Sequence, residues 1–304
     1  MNDKLKILKD INNICPDIFI RISEPLYKHT YIQTGGAADI FIQPKNIDDV
    51  QRIIQYSDEN KIPFEILGYG SNVIIKDKGI RGIVINLNHL NKITIHKNEI
   101  MAESGASIID VSRTALQFHL SGLEFACGIP GSVGGALIMN AGAYDGEISY
   151  VLKSAKVITL AGDILNLSDS DFQFGYRTSV FEKEKYKILE ATFILEKSDP
   201  LLIREKMDTF RFLRKQKQPL EFPSCGSVFK RPPNQFAGKL ISESGLQGMR
   251  IGGAEVSMKH AGFIVNVDHA TSTDYLLLIR HIQETVNKKF DIQIDPEVKI
   301  LGED

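Results

Sequence analysis

The sequence predicts an α+β fold with more than one domain. Between residues 39 and 86, short apolar runs typical of strands flank a stretch with helical spacing, which is the rhythm of a β-α-β unit. Residues 93–104 and 154–167 are instead typical of hairpins. A chain of 304 residues holds about two domains at roughly 150 residues each, or three small ones.

Helical spacing and end signals predict the helices. Apolar residues three apart predict a helix over 3–14, which ends at Cys15-Pro16. Ser107 can cap a helix over 108–120, and Asp199-Pro200 starts a long helix to about Gln218, with a boundary before Pro219. In the helix over 108–120, one face carries Ile108, Val111, Ala115 and Phe118. The remaining predicted helices are one carrying Val50, Ile53, Ile54 and Ser57, one near 236–244, and one from Thr273.

Short apolar runs between turn residues predict the strands. The single runs lie at 39–43, 64–67, 73–75, 82–86, 188–196, 226–230, 262–266 and 297–301. The two hairpins pair 93–96 with 99–104, turning at Asn98, and the two halves of 154–167 around Ala161-Gly162-Asp163. Strands and helices therefore alternate at both ends of the chain, with hairpins between them.

Composition and charge exclude several classes of protein. The chain is 43% hydrophobic and 24% charged, and its net charge of −2 lacks the basic footprint of a general nucleic-acid binder. Cys15, Cys127 and Cys225 are too few and too scattered for a disulfide framework. The sequence has no apolar run of membrane-spanning length and no secretory signal, so we expect a cytoplasmic protein.

Three glycine clusters are candidate anion cradles. They are QTGGAAD at 33–39, LGYGSNV at 67–73 and CGIPGSVGGALIMNAGAYDG at 127–146. Glycine lets backbone N–H groups converge on a phosphate without an intervening Cβ, although tight turns also explain a single cluster. The sequence contains neither the G-x-x-x-x-G-K-[ST] loop of nucleotide triphosphatases nor the dinucleotide fingerprint of a doubly wound sheet.

Other common catalytic patterns are missing from the sequence. No two of the seven histidines are spaced i, i+4, and none has neighbouring carboxylates that suggest a metal, so no metal site is expected. No G-x-S-x-G elbow is present, which argues against serine-hydrolase chemistry. The basic residues between Arg204 and Lys217 alternate with Glu205 and Asp208, as on a solvated helix face.

Six ordered motifs together carry a family resemblance. They are LGYGSN, IPGSVGGALIMNAGAY, FGYRTSVF, SCGSVFKRP, FAGKLI with SGLQGMRIGGAEVS, and HAGFIVN. The set resembles the UDP-N-acetylenolpyruvoylglucosamine reductase family over residues 26–301. The short spacing around Tyr176 is similar to the shorter, second type of that family. Asp145 and Arg231 depart from it, at positions where glycine and asparagine are frequent.

The resemblance implies a particular fold and domain order. The expected fold is α+β, a vanillyl-alcohol-oxidase-like (PCMH-type) two-lobed FAD-binding fold followed by a C-terminal α/β substrate-binding domain. The implied domains are an N-terminal helix and first FAD lobe at 1–90, a second FAD lobe at 91–200, and a linker helix with the substrate domain at 201–304.

The resemblance also implies a reaction. An NADPH-dependent flavoenzyme of this kind reduces the enolpyruvyl ether of UDP-N-acetylglucosamine enolpyruvate to UDP-N-acetylmuramate, a peptidoglycan precursor. Hydride added to C3 leaves negative charge on C2 and the carboxylate, so the site needs fixed positive groups or donors. By resemblance, Arg177 and Glu297 stabilise that enolate and Ser227 donates the proton to C2.

The cofactor and substrate contacts follow from the same motifs. FAD is expected to bind without a covalent link, and Tyr176, Lys230 and Arg231 are expected to contact the substrate. The implied FAD contacts are Thr34, Gly35, Gly36, Gly68, Tyr69, Gly70, Ser71, Asn72, Gly128, Pro130, Gly131, Ser132, Gly134, Gly135, Asn140, Ala141 and Gly142. We expect a monomer acting on a small molecule, with no metal, no nucleic acid and no membrane.

Two other functions remain open at this point. One is an FAD-dependent alcohol or hydroxy-acid oxidase of the same fold, which would be reoxidised by oxygen. The other is a noncatalytic flavin- or nucleotide-binding protein. The C-terminal motifs GSVFKRP and HAGFIVN favour the reductase over the oxidase, and the presence of Arg177, Ser227 and Glu297 argues against a protein without catalysis.

Overall fold

The computed structural model describes residues 2–303, with side chains from Lys4 onward in the first helix. Within this range the α-helices are α1 (Asn2–Ile14), α2 (Ile47–Glu59), α3 (Ile108–Gln117), α4 (Val133–Ile138), α5 (Val180–Lys183), α6 (Pro200–Lys217), α7 (Ala237–Glu243) and α8 (Ser272–Phe290). The predicted mixture of helices and strands is confirmed.

The strands are short, and many are joined by tight turns. In chain order they are β1 (Phe19–Pro25), β2 (Ala37–Gln43), β3 (Phe64–Leu67), β4 (Val73–Ile75), β5 (Ile80–Asn86), β6 (Ile93–His96), β7 (Glu99–Glu103), β8 (Leu120–Ser121), β9 (Gly142–Ala143), β10 (Gly146–Glu147), β11 (Leu152–Ile158), β12 (Ile164–Ser168), β13 (Lys187–Ile194), β14 (Glu196–Lys197), β15 (Ser224–Ser227), β16 (Arg250–Ile251), β17 (Ala254–Val256), β18 (Phe263–Asn266) and β19 (Lys299–Leu301).

The chain divides into two compact units, each built from separate stretches of sequence. Unit 1 comprises Met1–Ile22, Asp39–Tyr69 and Gly82–Leu213. Unit 2 comprises Ser23–Ala38, Gly70–Arg81 and Arg214–Asp304. The division at 1–90, 91–200 and 201–304 stays a prediction.

The first sheet, most of which belongs to unit 1, has the strand order β1-β2-β5-β3. β3 and β5 are parallel, and α2 lies between β2 and β3 in the chain, in the β-α-β order that the sequence predicts. Asn46 caps α2 by accepting the N–H of Asp49. Fully buried isoleucines of β2, α2 and β5, including Ile40, Ile53 and Ile83, form its core.

The second sheet of unit 1 is antiparallel, with five strands in the order β12-β11-β13-β7-β6. Its central strands place Ala155 opposite Ala191 and Ala191 opposite Ala102. These small residues share a core with Val111 of α3 and Leu137 of α4. α6 adds a smaller buried cluster of Ile203, Met207 and Cys127 to unit 1.

Unit 2 contains an antiparallel sheet of four strands, β15-β18-β17-β16, and the parallel pair β4 and β19. Its core includes α7, α8 and the fully buried Tyr275. α8 starts with a capping box in which Thr271 accepts the N–H of Asp274 and Asp274 accepts the N–H of Thr271. The core of unit 2 is thus formed mainly by the C-terminal part of the chain.

Three sequence expectations are corrected by the structure. The predicted helix over 108–120 ends at Gln117, so Phe118 is the C-cap residue and is 53% exposed rather than on the buried face. The predicted strand at 226–230 is instead Ser224–Ser227, because Gly226 has a left-handed φ of +80° and the pairing shifts register between Ser224 and Ser227. The helix expected from Thr273 begins one residue earlier.

Candidate functional site

In unit 2, Ser227 and Glu297 lie on neighbouring segments of backbone. The N–H of Glu297 donates to the carbonyl of Val228 at 2.7 Å, and the N–H of Lys230 donates to the carbonyl of Asp295 at 2.9 Å. Phe229 and Pro296 form an antiparallel bridge between these two bonds. Backbone pairing therefore brings together two predicted catalytic residues that are far apart in sequence.

Two further groups lie near Glu297: Asn72, which is a predicted FAD contact, and the buried thiol of Cys225. The Asn72 side-chain amide donates to the Glu297 carbonyl at 3.4 Å, and the N–H of Lys299 donates to the Asn72 carbonyl at 3.1 Å. Burial, with a smaller contribution from the neighbouring carboxyl group of Glu297, raises the pKa of the Cys225 thiol to about 12. Cys225 therefore stays a neutral thiol and adds no second anion beside this carboxyl group.

Ser227 and the cations that follow it are accessible. The Ser227 residue is exposed and Lys230 is half-buried. The guanidinium carbon of exposed Arg231 lies 4.4 Å from the ring centroid of Phe236, a cation–π arrangement. This edge of unit 2 thus presents one hydroxyl group and two positive charges to solvent, which suits an anionic small molecule.

In unit 1, Arg177 lies in a two-residue turn. Gly175 and Thr178 exchange backbone hydrogen bonds of 3.1 and 3.3 Å, with Tyr176 and Arg177 between them; residues 175–178 are called the Arg177 turn below. Arg177 has a φ of +55°, a left-handed conformation that is uncommon for residues other than glycine. Such outliers are often retained at functional sites.

Within unit 1, the Arg177 side chain contacts a backbone carbonyl and an aromatic ring. Its guanidinium donates to the carbonyl of Gly142 at 3.3 Å, and its guanidinium carbon lies 5.3 Å from the centroid of the Tyr176 ring. Arg177 is half-buried and Tyr176 is exposed. A guanidinium has five donors, so this group can hold Gly142 and still bind a carboxylate.

Two of the glycine clusters meet in unit 1. A Cβ on Gly68 would lie 2.3 Å from the hydroxyl oxygen of Ser132, so only glycine permits this approach. The N–H groups of Gly131 and Ser132 donate no hydrogen bond to another group among the described residues, although Ser132 is only 3% exposed. Buried backbone donors normally have a partner, so this loop fits a phosphate-bearing group such as the FAD pyrophosphate.

Other N–H groups of the predicted cradle are engaged within the protein. Gly134 donates to the Ser104 carbonyl at 2.9 Å, and Gly135 donates to the Ser132 hydroxyl at 3.3 Å. The backbone N–H of Asn140 donates to the Leu137 carbonyl, and that of Ala141 donates to the Ala136 carbonyl. A backbone cradle in this segment therefore depends on Gly131 and Ser132 rather than on every glycine. For Gly128, Pro130 and Gly142 the FAD contact stays a prediction.

The cluster at Thr34, Gly35 and Gly36 has a structural role in unit 2. The N–H of Gly36 donates to the Lys76 carbonyl at 3.0 Å, and a Cβ there would lie 2.2 Å from the carbonyl oxygen of Asp77. The buried Thr34 hydroxyl accepts a bond from Ser272 at the start of α8. Packing therefore accounts for these residues, and their FAD contact stays a prediction, as it does for Tyr69, Gly70 and Ser71.

Sequence reasoning missed Asp77, which anchors the start of α8. Its carboxylate accepts the N–H groups of Ser272 and Thr273, both at 2.9 Å, and the Thr273 hydroxyl at 2.6 Å. Burial would raise the pKa of Asp77, but these hydrogen bonds outweigh burial and lower it. The run Thr-Ser-Thr-Asp at 271–274 indicates a capped helix, yet nothing in it points to residue 77.

The described residues add two findings about metals and membranes. Between residues 2 and 303, no three or more His, Cys, Asp or Glu side chains are grouped so that they could hold a metal ion. In the same range no helix is both long and apolar enough to cross a membrane.

Comparison with family models gives two matches along the chain. Residues 38–168 match an FAD binding domain, and residues 218–301 match the C-terminal domain of UDP-N-acetylenolpyruvoylglucosamine reductase. The chain is 13% identical to the glucose dehydrogenase Phl p 4.0202, with a TM-score of 0.52 over 64% of this chain and 44% of that one, a likeness of fold alone. The fold and these matches define an FAD-binding oxidoreductase with a PCMH-type fold.

Closer relatives identify the family. The chain is 56% identical to UDP-N-acetylenolpyruvoylglucosamine reductase 2 of Bacillus cereus, over 98% of both chains. It resembles the crystal structure of UDP-N-acetylenolpyruvylglucosamine reductase from Thermus caldophilus, with 28% identity, a TM-score of 0.80, and coverage of 94% of this chain and 99% of that one. The chain belongs to the UDP-N-acetylenolpyruvoylglucosamine reductase family. The predicted family and fold class are confirmed.

Proposed function

We propose that this protein reduces the enolpyruvyl ether of UDP-N-acetylglucosamine to the D-lactyl ether, UDP-N-acetylmuramate, with NADPH as the electron source. Membership of the reductase family supports the proposal. The observation that carries it is the backbone pairing of residues 228–230 with 295–297, which brings Ser227 and Glu297 together inside the segment matched to the reductase C-terminal domain.

FAD would be held without a covalent bond. When bound, it supplies the hydride that adds to C3 of the enolpyruvyl group. The N–H groups of Gly131 and Ser132 suit its pyrophosphate, and glycine at position 68 permits the loop to approach Ser132. The protein's own residues bind, orient and protonate the substrate.

Arg177 and Glu297 would act on the carboxylate of the substrate. Charge that builds up there during the reaction is stabilised best by donors already in place. The guanidinium of Arg177 is permanently charged and planar, which suits a carboxylate. Glu297 assists if its carboxyl group is protonated or hydrogen-bonded, because a second free anion would repel the developing charge.

Ser227 would donate the proton to C2. A serine hydroxyl is a weak acid, so this role requires a strongly basic carbon next to it and good orientation. The exposed position of Ser227 at the end of β15 leaves its hydroxyl accessible to a small molecule. Lys230 and Arg231, which follow on the same segment, would bind the substrate diphosphate, with Tyr176 as a further contact.

Oligomeric state, location and domain division belong to the same proposal. We expect a monomeric cytoplasmic enzyme that binds neither nucleic acid nor membranes, in keeping with its net charge of −2. The two FAD lobes at 1–90 and 91–200 are supported by the two core clusters of unit 1, centred on the first and second sheets.

Two anaerobic half-reactions test the proposed function. NADPH should bleach the flavin of the purified protein, and the enolpyruvyl ether should restore its absorbance. Ser227→Ala should leave bleaching almost unchanged and slow the restoration by ~10²–10⁴-fold, the usual contribution of a positioned proton donor. Ser244→Ala, which removes a hydroxyl bonded to the Leu240 carbonyl in the same unit, is the control.

One outcome would contradict the proposed reaction, and another would contradict only the role of Ser227. Steady NADPH-independent oxidation of an alcohol by oxygen, with no response to the ether, would favour the oxidase. Equal loss of both half-reactions in Ser227→Ala would remove the proton-donor role from Ser227 but leave the overall reaction standing.

A further inference from the structure

The segment 138–142 is hydrogen-bonded at three points to the Arg177 turn and to Ser179, the residue that follows it. The Ser179 hydroxyl donates to the Ile138 carbonyl at 2.8 Å. The Asn140 amide donates to the Gly175 carbonyl at 3.2 Å, and the Arg177 guanidinium donates to the Gly142 carbonyl at 3.3 Å. In the bond to Gly175 the 138–142 segment contributes a side chain, that of Asn140, whereas in the other two it contributes backbone carbonyls.

The Asn140 side chain is buried and its hydrogen-bonding capacity is largely used. The residue is 1% exposed. Its amide nitrogen donates to Gly175 and, at 3.1 Å, to the Glu147 carboxylate, while its oxygen accepts the N–H of Ser149 at 3.0 Å. An asparagine amide has two N–H donors, so both are engaged within the protein. The amide therefore has no donor left for FAD.

Other side chains could not make this set of contacts. Aspartate has no N–H to offer and would place a carboxylate beside Glu147. Alanine and serine are too short to bridge Gly175 and Ser149. Removing the amide would take a hydrogen bond from the Gly175 carbonyl, the Glu147 carboxylate and the Ser149 N–H, all at half-buried residues, which is costly. The position thus selects a primary amide for its two donors and one acceptor.

The contact matters for Arg177 because it holds Gly175, the first residue of the Arg177 turn. Arg177 is left-handed with a φ of +55°, and the turn is closed by the two backbone bonds between Gly175 and Thr178. Loss of the Asn140 bond leaves the Gly175 carbonyl to the Thr178 N–H within the turn itself, so that the turn can relax towards the right-handed region and redirect the guanidinium away from Gly142. We propose that Asn140 is a positioning residue that fixes the direction of the Arg177 guanidinium. The consequence for catalysis rests on the proposed function.

Hydrogen exchange tests the positioning role without any assay of activity. In Asn140→Ala, peptides covering residues 172–180 should exchange at least ~10-fold faster than in the unaltered holoenzyme, while peptides from β13 should not change. Asn98→Ala is the matched control, because the Asn98 amide also donates to a distant carbonyl of unit 1, that of Leu195 at 2.9 Å. Unchanged exchange at 172–180 in Asn140→Ala would overturn the proposal.

A double-mutant cycle tests the link to Arg177. Asn140→Ala should slow flavin reoxidation by the enolpyruvyl ether ~10–100-fold through kcat, leaving reduction by NADPH unchanged, since a small misplacement of a catalytic group costs that much. On an Arg177→Lys background the same change should add less than ~2-fold. Additive losses, or a shifted flavin spectrum with weakened FAD binding, would instead make Asn140 a direct contact.

A second variant keeps the test decisive if Asn140→Ala does not fold. Asn140→Asp keeps the acceptor for Ser149 and the side-chain volume but loses both donors, so it should show the same local exchange and the same non-additive loss. If the unaltered enzyme fails to respond to the ether, the proposed function fails, and hydrogen exchange still decides whether Asn140 holds the turn.

Discussion

The Arg177 turn of unit 1 and the Ser227–Glu297 segments of unit 2 present predicted catalytic residues by different means. Ser227 and Glu297 are placed by backbone hydrogen bonds between residues 228–230 and 295–297. Arg177 is placed by side chains, its own and those of Asn140 and Ser179, on a turn with a left-handed residue. Backbone pairing survives most side-chain substitutions, whereas a turn held by side chains depends on the identity of each one.

The largest effect that follows from this comparison is expected at Arg177. Arg177→Lys keeps the charge but cannot donate to Gly142 and bind a carboxylate with the same planar group. We expect flavin reoxidation by the enolpyruvyl ether to fall ~10²–10³-fold, the usual cost of losing a donor to developing charge. Stopped-flow absorbance would measure it. Arg113→Lys, at an exposed ion pair with Asp110, is the control, and an equal loss there would contradict the assignment.

Two glycine substitutions compare the stability of the two regions. A Cβ on Gly142 would lie 2.8 Å from the Gly146 carbonyl and 2.9 Å from Glu147 Cβ, so Gly142→Ala should cost ~1–3 kcal/mol by overpacking. Gly226 precedes Ser227 with a φ of +80°, and a Cβ there would meet nothing within 4 Å. Gly226→Ala should cost only the left-handed strain, ~1 kcal/mol.

Urea unfolding would measure both glycine variants. The region around Gly142 should be the more sensitive of the two. If Gly226→Ala costs more than Gly142→Ala, the backbone of unit 2 is less tolerant than the strand pairing suggests.

The smallest effect is expected at Asp77, where unit 2 does rely on a side chain. Because hydrogen bonds lower the pKa of Asp77 in the folded state, its contribution to stability is present above the ordinary value of 3.8 and is lost as pH falls below it. Asp77→Asn should reduce the free energy of unfolding by ~1 kcal/mol at neutral pH, as for the loss of a helix cap. This difference should vanish in acid.

The control for Asp77 is Asp268→Asn, which breaks an exposed ion pair with Arg250 and should change stability little. Urea unfolding measured at pH values from about 2 to about 7 covers the range over which the Asp77 carboxyl group titrates. A difference at Asp77 that grew as the pH fell would contradict the sign worked out above.

Local patterns in the sequence were enough to predict most elements of the fold. The strand at 64–67 matches the structure residue for residue, and Ser107 caps α3 as expected by accepting the N–H of Asp110. The start of α6 at Pro200 also follows from the Asp-Pro signal, with the Asp199 carboxylate accepting the N–H of Leu201. These features depend on neighbours within one or two helical turns.

The candidate site was predicted less completely. The motif FGYRTSVF singles out Arg177, but nothing in it shows that residue 177 is left-handed. The contact of Asn140 with FAD stays a prediction, and nothing in the motif shows that its amide donates to Gly175 and Glu147. α4 was missed because its glycines are typical of a loop, although Ser132 caps it by accepting the N–H of Gly135. Each of these outcomes depends on packing rather than on local propensity.

By itself the sequence determined the periodicities, the caps and the ordered motifs of a reductase family, because these are properties of residues close together in the chain. Only the tertiary structure decided that residues 228–230 pair with 295–297 and that 138–142 holds 175–179. Such contacts join segments whose mutual approach is set by which buried faces pack together, and no local pattern encodes that choice.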